Sequence, residues 1–220
     1  MNILIISPHH DDEVIGCGGT IAKYSRKDDK IAVIYIMAGW SGIPKIKSKE
    51  KAIKIREKEA HDSCKILGVQ KTIFLREDDR NIYNKKGEII QKLIKVIRDI
   101  KPNLVYVPHP NEKDIEHRIT YEATKEAIWL SKSPYLPKLG VPTKSIENVY
   151  LYEVWTPMKD FFIREDITDV IDVKTKALLA YKSQLEYFNL VDAITGLNMY
   201  RGSMVGTTKK FAEVFQVENP

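Results

Sequence analysis

Asn2-Ile3-Leu4-Ile5-Ile6-Ser7-Pro8-His9-His10-Asp11-Asp12-Glu13 sets an unbroken apolar run directly before a loop of two imidazoles and three carboxylates. An apolar run without alternation is the pattern of a strand covered on both faces, as in a parallel sheet. Residues 31–37, 71–75 and 103–107 repeat it. The segments between them carry helical periodicity. It is clearest at Ile89, Ile90, Leu93, Ile94 and Ile97, whose spacing draws one apolar stripe on a helix that ends before Pro102.

Alternating strands and helices joined by right-handed crossovers predict an α/β fold. The expected architecture is a Rossmann-like three-layer sandwich with a mainly parallel sheet, order 3-2-1-4-5, plus C-terminal additions. In that order the strand at 2–7 lies beside the strand at 103–107, and the chain leaves them in opposite directions. A crevice then opens at their C-terminal ends, lined by the loops Ser7 to Gly19 and Pro108 to Arg118. Past residue 131 the reading is a loop with Pro134, Pro137 and Pro142, a strand from Val149 to Val154 and a helix over 173–187. The last 30 residues read as irregular, and residues 1–220 are expected to form a single domain.

The composition is 43% hydrophobic, and 35 basic against 30 acidic residues give a formal charge of +5 without a basic arm or tail, so nucleic acid is not implied. No apolar run approaches the ~20 residues that span a bilayer. Met1-Asn2-Ile3 enters a strand with no positive region before it, which leads to the expectation of a cytoplasmic protein. Cys17 and Cys64 lie on apolar helix faces and read as small core residues rather than a disulfide.

Four of the five histidines, His9, His10, His109 and His117, fall in the two crevice loops. Three adjacent acids repel one another in a partly desolvated loop unless a cation sits among them. A zinc-type catalytic site needs about three N or O ligands and one open position. His9, Asp12 and His117 supply them, which leaves Asp11 beside the metal as general base. Glu13 reads as a helix start at the positive dipole end. Gly16-Cys17-Gly18-Gly19 does not form G-x-G-x-x-G, and the acids before it would repel a pyrophosphate. Arg56 falls on the inward stripe Ile53, Ala60, Cys64 and Leu67, where it either pairs with Asp78 or Asp79 or reaches substrate hydroxyls. His61 reads as solvated. The segments from Gly39 to Lys47 and Ser131 to Ile146 are the expected pocket walls, with Trp40 and Tyr135 as aromatic candidates for a sugar face.

Pro8-His9-His10-Asp11-Asp12-Glu13 resembles the A/P-H-x-D-D-E signature of the PIG-L/LmbE-like de-N-acetylases, zinc enzymes acting on N-acetylglucosamine-type sugars. The resemblance extends to Gly18-Gly19-Thr20, the helix from Arg56 to Gly68, the loop from Pro108 to Arg118, Lys182-Ser183-Gln184, Arg201-Gly202 and Ala212-Glu213-Val214-Phe215. It implies one zinc ion per chain on His9, Asp12 and His117, Asp11 as base, a small N-acetylated sugar or conjugate as substrate, and a homo-oligomer. Where the family usually reads H-x-D-H, this chain reads Asp114-Ile115-Glu116-His117. Glu116 can orient a neighbouring imidazole, but a carboxylate at 114 repels an oxyanion. Three outcomes are open: His10 or His109 supplies the missing imidazole, which is the favoured expectation; Asp114 stays protonated; or turnover is slow or directed at another substrate. Arg56 and His109 are the expected substrate-binding groups. A metal-holding sugar-binding protein with little catalysis is the competing reading, and a metallo-phosphohydrolase ranks below both.

Overall fold

A computed structural model describes residues 1–204 and 208–220. Strands β1 (Asn2–Ser7), β2 (Lys30–Met37), β3 (Lys71–Glu77), β4 (Leu104–Pro108) and β5 (Asn148–Tyr152) run parallel. β6 (Ile163–Asp166) and β7 (Ala212–Glu218) complete an antiparallel edge, and the sheet order is β3-β2-β1-β4-β5-β7-β6. The expected order 3-2-1-4-5 is therefore present, with β1 between β2 and β4.

Alternate residues of β1 enter different cores, because successive side chains of a strand point to opposite faces. Ile3 and Ile5 pack with α1 (Asp12–Ser25), α2 (Lys49–Leu67), α5 (Ile171–Leu178) and α7 (Leu190–Ser203). Leu4 and Ile6 pack with α3 (Ile82–Ile100) and α4 (Ile115–Ser131). The α3 stripe is the one the periodicity marks: Ile89, Leu93, Ile94 and Ile97 are fully buried. Cys17 and Cys64 are buried and free. No helix among the described residues is long and apolar enough to cross a membrane.

The C-terminal third departs from expectation. The helix expected over 173–187 is two pieces, α5 and α6 (Lys182–Leu185), separated where Tyr181 turns fully into the core. The described residues of the final stretch include α7 and β7. Its apolar pattern is weak for physical reasons: the inward positions of α7 include Asn198, Arg201 and Gly202, and β7 buries Glu213, its second residue. β6 carries Arg164, Glu165 and Asp166 in its four residues, so no apolar run announces it.

Candidate active site

β1 and β4 end side by side, so the segments Pro8–Asp11 and His109–Asp114 face each other across the point where the chain turns to opposite faces of the sheet. Ser7 ties the first loop: its Oγ donates to His9 O at 2.8 Å and accepts from Glu13 N at 3.1 Å. Asp11 precedes α1 with φ 129° and ψ −23°, a conformation side chains rarely adopt. Its carbonyl accepts from Val14 N and Ile15 N, and its own N–H donates to Glu13 Oε2 at 3.1 Å. The surrounding bonds thus hold the strained residue in place.

Three donor atoms converge. His9 Nδ1 and His117 Nε2 are 3.1 Å apart, and Asp12 Oδ2 lies 3.3 Å from the first and 3.2 Å from the second. Ligands held at ~2.1 Å by a tetrahedral ion stand about 3.4 Å apart, so a zinc-type cation fits this triangle with little movement. The other polar atoms of two of these side chains, Asp12 Oδ1 and His117 Nδ1, are buried without a hydrogen-bond partner. His9, Asp114 and His117 also form a wider group, each offering one ligand atom within 4.8 Å of the others. The tighter set with Asp12 is the better donor triangle; Asp114 stands at its edge.

Outer groups orient these rings. His9 Nε2 meets Glu116 Oε2 at 2.6 Å, and Glu116 Oε1 accepts from Arg80 N at 2.5 Å. A carboxylate on the second nitrogen of a ligating histidine fixes its tautomer and orientation. Glu112 Oε2 lies 3.7 Å from His117 Nδ1, and the same carboxylate accepts from the N–H groups of Val154, Trp155 and Thr156. Asp114 caps α4, accepting from Glu116 N at 2.7 Å.

Burial pushes the Asp11 carboxyl up to about 6, against the lowering effect of the Arg56 guanidinium. Burial also raises Asp12, but the His117 and His9 rings outweigh it and hold this carboxyl well below the ordinary range. For His9, burial lowers the pKa, and Asp12 and Glu116 together raise it well above the usual value.

Arg56 is 2% exposed and pairs with Asp11 Oδ2 at 3.4 Å while donating to His10 O, so neither Asp78 nor Asp79 is its partner. Asp79 instead accepts from Gly39 N and Ser41 N and fixes one cavity wall, and Asp78 accepts from Trp40 Nε1. Arg56 Nε and Nη1 are buried and unpartnered. Glu13 is more than a helix start: it is fully buried and accepts from Tyr181 OH at 2.5 Å.

The cavity over these groups has a volume of about 380 Å³; His9, Asp11, Asp12, Arg56, Asp114 and Glu116 reach it, with Arg80, Tyr83, Trp155 and Gln184 among its other walls. A larger cleft of about 530 Å³, between α4 and the C-terminal residues, contains no histidine. His10 does not line the catalytic cavity. Its ring stacks on Tyr35 at 4.9 Å and Phe74 at 5.5 Å, and burial keeps it neutral. His109 does not line it either: Nε2 meets Thr156 O at 2.8 Å and Nδ1 accepts from Asn111 N at 3.2 Å. The structure thus brings neither imidazole to the place Asp114 leaves open.

The expected wall from Ser131 to Ile146 is also absent from the cavity. It is the connection from α4 to β5, which in a parallel sheet lies at the opposite strand ends from the site. Arg98 gathers it through Ser131, Ser133, Tyr135, Leu136 and Gly140 carbonyls. Sequence reasoning missed Glu112, Arg80, Trp155 and Gln184. Glu112 lies inside a loop already singled out, and Gln184 inside Lys182-Ser183-Gln184, whereas no spacing marks Arg80 or Trp155.

A family profile described as PIG-L, GlcNAc-PI de-N-acetylase, matches residues 4–128. The chain is 32% identical over 193 residues to the diacetylchitobiose deacetylase of Thermococcus kodakarensis, covering 83% of this chain and 69% of that one. It is 26% identical over 197 residues to a probable N-acetyl-alpha-D-glucosaminyl L-malate deacetylase 2 of Bacillus anthracis, covering 83% and 81%. The fold matches that of the N,N'-diacetylchitobiose deacetylase from Pyrococcus horikoshii, complexed with its inhibitor MPG, with a TM-score of 0.86 and 27% identity over 99% of this chain and 83% of that one.

Proposed function

The chain belongs to the PIG-L de-N-acetylase family, and we propose that it is a zinc-dependent hydrolase that removes the acetyl group from an N-acetylglucosamine-type sugar or its conjugate. The observation that carries this reading is the donor triangle of His9, Asp12 and His117, with edges of 3.1–3.3 Å, beside the strained Asp11. When bound, the ion acidifies water and polarises the acetyl carbonyl.

Asp11 is the proton carrier. Held by Arg56 beside the donor triangle, its carboxylate is placed to take a proton from the attacking water and to return it to the departing nitrogen. Water adds to the acetyl carbon, the C–N bond breaks, and acetate and a free amine leave. Arg56 holds Asp11 and, as a wall of the cavity, is the group assigned to substrate oxygens. Glu116 orients His9, and Asp114 presents an acceptor suited to the leaving amine rather than to an oxyanion.

The test is acetate release from free, nucleotide-linked, lipid-linked and thiol-conjugated N-acetylglucosamine by metal-stripped and zinc-reconstituted protein. Steady release that appears only with zinc supports the reading. Sugar binding without acetate would instead identify a binding protein, the alternative that the carboxylate at Asp114 favours.

A further inference from the structure

The chain has three tryptophans, and their surroundings differ. Trp129 lines the larger cleft, which none of His9, Asp12 and His117 reaches. Trp40 is already occupied: its Nε1 donates to Asp78 Oδ1 at 2.9 Å, and Lys49 Nζ sits 3.8 Å from its ring centroid. Of the three, Trp155 lines the catalytic cavity.

Trp155 is held firmly yet left open. It follows β5, and one buried carboxylate, Glu112, accepts from the N–H groups of Val154, Trp155 and Thr156. His109 Nε2 meets Thr156 O at 2.8 Å, and Lys113 N donates to Thr156 Oγ1 at 2.8 Å. The indole leans on Phe188, with ring centroids 5.7 Å apart and planes inclined at 50°. Trp155 belongs to neither apolar core and remains 42% exposed. Most of the other side chains around the cavity are polar, Asp11, Arg56, Asp114 and Gln184 among them; Tyr83, 68% exposed on the first turn of α3, is the other aromatic wall.

A pyranose presents two kinds of surface. Its rim carries hydroxyls and the acetamido group, which polar walls match; its face carries C–H bonds, which they do not. An aromatic face matches those C–H bonds by dispersion and by the attraction of its negative quadrupole for their hydrogens. We infer that Trp155 is the platform for the pyranose face of the substrate, and so the residue by which the site tells a sugar from other acetamides. The inference rests on the de-N-acetylase reading above.

The zinc-reconstituted full chain is assayed for acetate release from methyl N-acetylglucosaminide and from N-acetylethanolamine, an acetamide without a ring. The ratio of kcat/KM for the glycoside to that for the open-chain amide falls about tenfold in Trp155→Ala, chiefly through the KM of the glycoside, and stays near wild type in Trp155→Phe. A variant that merely loosens the fold lowers both substrates together and leaves the ratio in place. In zinc-reconstituted Asp11→Asn/Trp40→Phe/Trp129→Phe protein Trp155 is the one tryptophan left, and its emission shifts as the glycoside is added. A ratio unmoved by Trp155→Ala, or moved by Tyr83→Ala in its place, overturns the platform and leaves the deacetylase reading standing. Emission that does not change above the wild-type KM does the same. Absence of acetate with a shift in emission overturns the deacetylase reading alone, and absence of both signals overturns both.

Discussion

At the C-terminal ends of β1 and β4 some of the buried polar atoms beside the cavity lack partners, whereas around β5–β7 the buried charges are paired. Asp12 Oδ1, His117 Nδ1, and Arg56 Nε and Nη1 lack hydrogen-bond partners. At the other end Lys174 Nζ meets Glu213 Oε1 at 2.7 Å and Ile15 O at 2.8 Å, and Glu213 also accepts from Gly19 N and Thr20 N at 2.8 Å each. Arg201 meets Glu153 at 2.7 Å and Met158 O at 2.8 Å. Both paired sets are buried, and Asp12 and Arg56 of the unpartnered set line the cavity. The difference separates side chains clustered at the cavity from those that complete the scaffold. The scaffold set reaches back to the first: Lys174 and Glu213 grip α1, the helix that starts at Asp12.

The sharpest way to break this division is Asp11→Asn. It removes the proposed proton carrier while keeping shape, so on that proposal kcat should fall by about 10²–10⁴ while folding and metal content match wild type. Acetate-release kinetics, metal analysis and thermal denaturation check the three parts. Full activity would sink the assignment of Asp11 as base. Glu213→Gln is the counterpart at the other end: it strands the buried Lys174 ammonium and should cost about 3–5 kcal/mol of stability. Adding Lys174→Met should recover part of that loss in a denaturant titration, because the stranded charge is removed as well. A Glu213→Gln protein with normal stability but lost turnover would place Glu213 in the chemistry and end the division.

The two ends also differ in how much the chain discloses. β1 to β5 are apolar runs at regular intervals, and their order follows from crossover handedness, so the crevice and its two loops can be located before any contact is known. His9, Asp11, Asp12 and His117 cluster in those loops because one small space must hold all of them. β6 and β7 hide because charged residues occupy strand positions, and the partner of Glu213, Lys174, lies 39 residues earlier in the chain. His10 misleads in the opposite direction. It stands beside His9 in the chain, yet the turn at Asp11 sends its ring into the Tyr35 and Phe74 stack while His9 faces Asp12 and His117. Adjacency in sequence cannot distinguish those directions.

Glu13 joins the two ends, and its titration gives the smallest and most specific test. Its Oε2 accepts from Asp11 N, and its Oε1 accepts from Tyr181 OH, beyond α5. Burial pushes this carboxyl from its ordinary 4.5 up to about 7, against the lowering effect of the Tyr181 hydrogen bond. The folded chain therefore keeps the proton over a range where the unfolded chain has released it. The stabilising contribution is fully present below about pH 4.5 and is lost as pH rises through about 7, an effect of up to ~3 kcal/mol. Glu13→Gln removes the titration and keeps an acceptor for Tyr181. In metal-free protein the stability of wild type relative to Glu13→Gln should decline between pH 4.5 and 8, read from melting temperatures at matched salt. A constant difference across that window would show that Glu13 is already ionised in the fold, so that the seam between the two ends is held by a charge.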